Sequence, residues 1–312
     1  MTTTADKTST LAPAPKAPKG RFGRSGGSAA PAGTNATMAG SKQSSRWWLY
    51  GLLVAALVGV VAPFVWMVLG SFKSEGELRK TPPTWWPETA SLDNYTQLFS
   101  RLDFGTYFTN SIVVAVFVTA GNLLFCSMLG YALAMLDFKG KKALFTIVMA
   151  TLMIPGVVTF VPLFVLVANA GLIDSLPGLI LPFLVSPFGV FLMRQFISGL
   201  PRDLLDAGRV DGAGELRIFA RIILPLCGPA LATLGILTFL GSWNNFLWPL
   251  VVAQSEDSYT LPVALALYSK GQNSTNYGLL LAGATVVVLP VLAVFLAFQR
   301  KFIEGIATTG IK

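Results

Sequence analysis

The sequence contains no histidine and only two cysteines, Cys126 and Cys227, in 312 residues. Without histidine there is no Ser/His/Asp set for nucleophilic catalysis. The cysteines lie in apolar segments and have no partner at metal-ligand spacing, so we interpret them as small core side chains. The Gly140-Lys141 pair lacks the preceding glycine of a Walker phosphate loop, so this chain is not expected to bind ATP by that route. We expect no active site, no metal site and no cofactor within this polypeptide.

Charged residues are also scarce, at 12% of the chain, whereas 53% of residues are hydrophobic. Together with a mean hydropathy of +0.63, this composition indicates an integral membrane protein. Six apolar runs approach the ~20 residues that a spanning helix needs. The predicted spans are residues 47–69, 111–136, 144–167, 176–196, 226–251 and 277–298. We therefore predict an all-α integral membrane protein whose transmembrane domain covers residues 46–312.

Ionisable side chains are almost absent from these six runs, in which Arg194, near the end of one run, is the single charged residue. Carriers driven by protons or ions usually place an ionisable group in the membrane, so the pattern disfavours secondary transport. Carbonyl groups of broken helices can still bind sodium, and a stand-alone carrier or channel for a small neutral solute remains the alternative. A membrane scaffold that transports nothing is a third hypothesis.

Positive charge is unevenly distributed along the chain. With the amino terminus inside, 18 of the 23 Lys and Arg residues lie on the cytoplasmic side and five lie outside. By the positive-inside rule, both termini and residues 197–225 are predicted to be cytoplasmic, in a bacterial inner membrane. The net charge of +8 is then a topology signal, and we expect no nucleic-acid partner. Residues 1–45 are predicted to form a disordered basic tail, which serves as a topology signal or contacts anionic membrane lipid.

One polar stretch, Leu200–Pro225, separates two apolar runs. Its pattern predicts two short helices, the first from about Arg202 to Val210, broken by Gly212 and Gly214. A simple connection would need only a few residues. The stretch is therefore either a solvated interfacial helix pair or a docking element for a soluble partner.

The spacing within this stretch resembles the EAA motif of binding-protein-dependent ABC transporter permeases. That motif runs Glu-Ala-Ala, three residues, Gly, nine residues, Ile, one residue and Leu-Pro, which here corresponds to Asp206-Ala207-Gly208, Gly212, Ile222 and Leu224-Pro225. Asp206 replaces Glu and keeps its charge, whereas Gly208 replaces the second Ala and loosens the helix by roughly 1 kcal/mol. The resemblance implies a coupling helix that sits in a cleft of the ATPase subunit. The implied ATPase-coupling residues are Asp206, Ala207, Gly208, Asp211, Gly212 and Ala213.

Further stretches resemble the MalG-like branch of the carbohydrate-uptake type 1 permeases, and the resemblance covers about residues 47–312. They begin at Ser71, Leu92, Gly241 and Gln299 and read SFK, LDNYTQLF, GSWNNFLWPL and QRKFIEGIATTGIK. The resemblance implies the type I ABC importer permease fold (MetI-like) and alternating-access import of a di- or oligosaccharide. It also implies the partners: a second, MalF-like permease subunit, a cytoplasmic ATPase dimer that binds the ATP, and an extracytoplasmic solute-binding protein. The segment 253–276 would reach the binding protein, and residues 305–312 would contact the ATPase dimer.

Polar residues within the spans are few, and the segment Gly241–Leu250 concentrates two amides and two tryptophans. Amides bind hydroxyl groups and aromatic rings stack on sugar faces, so this segment is a candidate contact for a neutral sugar. The alternative is hydrogen bonding between membrane helices. The possible pore-lining or substrate-lining residues are Trp243, Asn244, Asn245 and Asn122.

Overall fold

The computed structural model describes residues 47–270 and 275–309. The predicted basic tail (1–45) and the last three residues lie outside this range. Within it the chain is helical, and the only β-type pairing of the described residues is one bridge between Lys270 and Thr275. The predicted all-α class is therefore confirmed.

Most helices follow one another through short connections, whereas a longer segment, residues 79–92, joins the second helix to the third. In chain order the α-helices are α1 (Trp47–Ser71), α2 (Glu75–Leu78), α3 (Asp93–Arg101), α4 (Phe104–Gly121), α5 (Ser127–Met135), α6 (Lys141–Met153), α7 (Gly156–Asn169), α8 (Leu176–Ile180), α9 (Pro187–Ile197), α10 (Asp203–Val210), α11 (Glu215–Ile218), α12 (Leu224–Leu226), α13 (Gly228–Trp243), α14 (Leu247–Val252), α15 (Leu261–Tyr268) and α16 (Tyr277–Thr309). Two π-helical turns, Asn122–Cys126 and Phe219–Ile223, join α4 to α5 and α11 to α12.

The apolar helices account for up to six membrane crossings. Among the described residues, three helices are long and apolar enough to cross a membrane alone: α1, Phe104–Met135 and the Tyr277–Ala297 part of α16. Three bent helix pairs of the described residues are also long and apolar enough when each pair is taken together: Lys141–Met153 with Gly156–Asn169, Leu176–Phe183 with Pro187–Ile197, and Glu215–Leu226 with Gly228–Trp243. If each bent pair is one span, the total is six.

Proline explains two of the bends. The α6–α7 pair turns by 106° at Ile154-Pro155, where Ile154 is extended, the conformation that a following proline favours. Before α9, Ser186 is extended in the same way ahead of Pro187, and its hydroxyl accepts a hydrogen bond from the Gly189 N–H at 3.1 Å. A serine N-cap followed by proline is a favoured way to start a helix.

The run predicted as one span over 226–251 is divided in the structure. Helix α13 ends at Trp243 and α14 begins at Leu247. Pro249 cannot donate to the carbonyl of Asn245, and its ring would clash with that carbonyl in a continuous helix. Instead the Asn245 side chain accepts a hydrogen bond from the Trp248 N–H at 3.4 Å. The break places an amide-bearing turn within an apolar segment.

The largest buried cluster lies where α5, α9 and the helix that follows Gly214 meet. Gly130 allows α5 to lie directly against α9, because a Cβ at this position would lie 2.7 Å from the Met193 Cβ and 2.9 Å from the backbone nitrogen of Arg194. Ile218, Phe219 and Ile223 belong to the same cluster. One face of the segment 197–225 is therefore part of the protein core.

Candidate functional site

The first helix of the polar loop, α10, ends in a glycine turn. Gly212 has a φ of +77°, a left-handed conformation that glycine adopts without strain. The Gly212 N–H donates to the Arg209 carbonyl at 3.0 Å, and the Ala213 N–H donates to the Gly208 carbonyl at 2.9 Å. This pair of bonds is a Schellman motif, which satisfies carbonyls that the helix end would leave free. The glycine at this motif position thus has a conformational reason to be there.

The inner face of α10 packs against the helix that begins at Glu215. Leu205 is buried, and so is Gly208. A Cβ at position 208 would lie 3.1 Å from both Ile218 Cγ1 and Ile222 Cδ1. Glycine in place of the family's alanine therefore allows the two helices to approach more closely than an alanine side chain would permit.

The outer face of the same loop is open. Val210 is 86% exposed and Leu216 is 70% exposed, on either side of the Gly212 turn. Asp206, in the first turn of α10, also has an exposed side chain (67%). Exposed apolar side chains next to charges, carried on an ordered element, are features of a protein-binding surface.

The predicted coupling residues divide between these two faces. Gly208 is buried, Ala213 is partly buried, and the other four are exposed, namely Asp206, Ala207, Asp211 and Gly212. Sequence reasoning did not identify the exposed Val210 and Leu216. Their apolar character next to a glycine turn in a charged loop is the signal that would have identified them.

A second feature is an open cleft of about 410 Å³ between α13 and the break before α9. No charged residue lines it. Its polar lining consists of Asn122, Ser186, Thr238, Ser242 and Asn245. Apolar lining includes Phe183 and Phe188, which flank Ser186 in sequence. Within the described part of the chain, Thr238 and Ser242 donate no side-chain hydrogen bond, so their hydroxyls are available to a polar solute.

Asn122 lies in the cleft wall, but its amide is already engaged. Its nitrogen donates to the carbonyls of Val118 (3.1 Å) and Phe183 (2.6 Å), and its oxygen accepts from the Ser186 hydroxyl at 2.6 Å. The residue is almost fully buried. Asn122 therefore connects the π-helical turn to the 181–186 break, whereas Asn245 is the predicted lining residue with a free amide nitrogen among the described residues.

Trp243 and Asn244 lie outside this cleft. Trp243 is buried, stacks on Phe239 and donates from its indole nitrogen to the Val287 carbonyl at 3.0 Å. The Asn244 amide nitrogen bonds to the Leu240 carbonyl of its own helix at 2.9 Å. The structure thus brings Asn122 and Asn245 together and directs Trp243 into the contact between α13 and α16.

The base of the segment 253–276 is held by side chains from distant parts of the chain. Asp174 accepts hydrogen bonds from the backbone N–H groups of Gln254 (2.8 Å) and Ser255 (2.9 Å). Asn110 donates to the carbonyls of Asp257 (2.8 Å) and Tyr259 (3.0 Å). Sequence reasoning missed Asp174 and Asn110 because no spacing in the sequence connects them to this segment. Residues 271–274, at the far end of the segment, lie outside the described residues.

Within residues 47–270 and 275–309 no three His, Cys, Asp or Glu side chains are grouped so that they could hold a metal ion.

These features define a class: an all-helical, multi-pass membrane protein that carries an amphipathic loop with one exposed face between two apolar segments. The chain belongs to the family of binding-protein-dependent transport system inner membrane components, whose family model matches residues 126–307. The family resemblance predicted from the sequence is confirmed.

Relatives of known name are similar over most of their length. The chain is 43% identical over 255 residues to the arabinooligosaccharides transport system permease protein AraQ of Halalkalibacterium halodurans, covering 81% of this chain and 91% of that protein. It is 35% identical over 264 residues to the diacetylchitobiose uptake system permease protein NgcG of Streptomyces coelicolor, covering 84% and 87%.

A solved structure is similar in fold. The crystal structure of a bacterial ABC transporter involved in the import of the acidic polysaccharide alginate matches with a TM-score of 0.72 and 23% identity, over 83% of this chain and 98% of that chain. At this identity the match shows the fold, and the predicted ABC importer permease fold is confirmed.

Proposed function

We propose that this chain is one of two permease subunits of an ATP-driven importer that moves a neutral di- or oligosaccharide by alternating access. Two of its relatives are permease proteins of an arabinooligosaccharides transport system and of a diacetylchitobiose uptake system, and both of these solutes are saccharides. The uncharged cleft, lined by hydroxyl and amide groups together with phenylalanine rings, suits a solute that has hydroxyl edges and apolar ring faces.

The observation that carries the coupling proposal is the open outer face of the loop. Leu205 and Gly208 fix α10 to the core, while Val210, Leu216 and Asp206 remain available to a partner. A soluble ATPase dimer that binds ATP would dock on this face, so that closure of the dimer moves the membrane helices. The chain itself would then be a transport subunit and would not hydrolyse ATP.

The charge distribution supports the orientation of this proposal. With 18 of 23 basic residues on one side, both termini and the docking loop would be cytoplasmic in a bacterial inner membrane. The segment 253–276 would then be extracytoplasmic and would meet the solute-binding protein. The basic tail and the apolar outer surface would contact lipid, and no nucleic acid enters the proposal.

Two variants test the coupling. Asp206→Lys reverses a charge on the outer face, and Gly212→Pro removes an N–H that bonds to Arg209 and enforces a negative φ. In proteoliposomes containing the second permease, the ATPase and the binding protein, both should lower sugar uptake per ATP hydrolysed. The charge-matched control is Glu88→Lys, whose side chain is half exposed in the segment between α2 and α3.

The outcomes separate the hypotheses. Normal uptake per ATP in both variants would count against the docking role. Robust solute flux through the chain reconstituted alone would identify a stand-alone carrier or channel. Unchanged sugar uptake in cells lacking the gene would indicate a non-transporting scaffold.

A further inference from the structure

A buried tyrosine of the membrane domain is bonded to the docking loop. Tyr131 of α5 is 4% exposed, and its ring packs against Phe219 with the centroids 5.5 Å apart. Its hydroxyl donates to Glu215 Oε2 at 2.6 Å. Glu215 is the first residue of α11, where a carboxylate also suits the helix dipole. This bond joins two residues that are 84 positions apart in the chain.

The Glu215 carboxylate is also hydrogen-bonded to a residue of α10. Glu215 Oε1 accepts a hydrogen bond from Arg209 Nε at 2.9 Å, and Arg209 Nη1 donates to Asp206 Oδ1 at 3.3 Å. Four side chains therefore form an unbroken polar chain from the buried part of α5 to the exposed acid of the docking motif. These side-chain bonds connect the residues before and after the Gly212 turn and involve no backbone group of the turn.

Stability alone accounts for the bond of the buried Tyr131 hydroxyl, but not for the two outer bonds of this arrangement. The side chains of Arg209 and Glu215 are each 44% exposed, and exposed ion pairs contribute little because water and salt screen them. A partner that covers Arg209 and Asp206 would exclude water and strengthen each bond of the chain. The strength of the connection to α5 would thus depend on whether the docking face is occupied.

We propose that Tyr131 and Glu215 are positioning residues for energy coupling, which link the docking state of α10 to the position of α5. The proposal rests on the proposed function, because it takes the docking partner to be the ATPase. Linkage makes the effect reciprocal: a displacement of α5 would change the affinity of the partner for the loop. Tyr131 lies outside the loop, so the coupling element extends beyond the EAA-like residues.

The test is a double-mutant cycle in the complete transporter in proteoliposomes. Tyr131→Phe removes the hydrogen bond to Glu215 and keeps the packing of the ring. Glu215→Gln removes the charge that pairs with Arg209, and because this side chain is 44% exposed, the new amide is not buried. Each should lower sugar uptake per ATP by about fivefold, within the usual range of coupling between sites. The double variant should lose little more than either single variant, because the two residues act in one chain. The control is Tyr95→Phe, which loses a similar side-chain bond, to Ser71, away from the loop.

Each result is decisive. If the wild-type system shows no ATP-dependent uptake, the proposed function itself fails. If the wild type couples normally while Tyr131→Phe and Glu215→Gln leave uptake per ATP unchanged, the polar chain has no coupling role. Losses of uptake and ATP hydrolysis in equal proportion, together with a lower melting temperature, would show a purely structural role and overturn the proposal.

Discussion

The carboxylate of Asp174 accepts a hydrogen bond from the backbone N–H of Ser255, with 2.9 Å between Oδ1 and the nitrogen. Asp174 itself has a φ of +55°, and its carbonyl accepts a further bond from the Ser258 hydroxyl. Two connections that are far apart in sequence, 170–175 and 253–260, are thereby held together at one end of the helical bundle.

This contact predicts a pH dependence of stability. The N–H groups of Ser255 and Gln254 lower the pKa of Asp174 below its ordinary value of 3.8. A carboxyl group whose pKa is lowered by folding stabilises the protein above its unfolded pKa, and this contribution is lost as the pH falls through the folded pKa. Below about pH 4 the wild-type protein should therefore lose melting temperature more steeply than Asp174→Asn.

The measurement is the melting temperature of the full-length chain in lipid nanodiscs across this pH range. Asparagine tolerates the positive φ, so the variant isolates the carboxylate. Asp257→Asn is the control, because the Asp257 side chain makes no hydrogen bond among the described residues. Parallel curves for the wild type and Asp174→Asn would contradict the prediction.

The conformation of Gly212 predicts a cost for any side chain at that position. Gly212→Ala places a Cβ at a φ of +77° and should destabilise the loop by about 1–2 kcal/mol, even though the space around it is open. Gly214→Ala, two residues away at a φ of −72°, carries no such backbone strain and should cost less, about 0.5 kcal/mol, because alanine is a poorer N-cap of α11 than glycine. Limited proteolysis of the loop in the two variants measures the difference, and equal cleavage rates would refute it.

The exposed position of Val210 makes the proposed cytoplasmic location of the loop 197–225 testable by labelling. Cys126 and Cys227 are fully buried, so the natural thiols form an unreactive background. In vesicles stripped of peripheral proteins, an impermeant maleimide should label Val210→Cys from the cytoplasmic side. It should label Trp86→Cys from the outside, because Trp86 is 73% exposed in the segment between α2 and α3, which the proposed orientation places outside. Added ATPase should protect position 210. Labelling of Val210→Cys from the outside would reverse the proposed orientation.

The different environments of two adjacent residues predict unequal effects of truncation. Trp243→Ala removes a buried ring and its bond to Val287, and should cost about 3–5 kcal/mol. Asn244→Ala removes an exposed amide that bonds only within its own helix, and should change stability by about 0.5 kcal/mol or less. Melting temperatures of the two variants in nanodiscs test this contrast, and similar losses would show that the ring is not a packing element.

Much of the architecture was predictable because apolar composition and helix-breaking residues are local signals. The helix predicted from about Arg202 to Val210 is observed as Asp203–Val210, since the acid in its first turn and Gly212 after it define both ends. The direction of a bent span is not a local signal. Hydropathy identifies the 144–167 run, and Pro155 marks a break, but the 106° between its two helices depends on packing with other elements.

The candidate sites were predictable only in part for the same reason. Trp243 and Asn245 are close in sequence, yet Trp243 is the last residue of α13 and Asn245 lies in the break before α14, so one side chain enters the core and the other lines the cleft. The bonds from Tyr131 to Glu215 and from Asp174 to Ser255 join residues that lie more than 80 positions apart. One sequence contains no periodicity from which such pairs can be inferred.

The π-helical turn Asn122–Cys126 lies within the helical run Phe104–Met135, between α4 and α5, and the two ends of this run make different contacts. Toward one end, Asn110 holds the segment 253–260, and toward the other, Tyr131 reaches Glu215. Such a turn accommodates one extra residue, so its removal would rotate one end by about 100° relative to the other. A one-residue insertion or deletion at this place would therefore misalign both sides of the membrane simultaneously, and the length of the turn sets the angular phase between them.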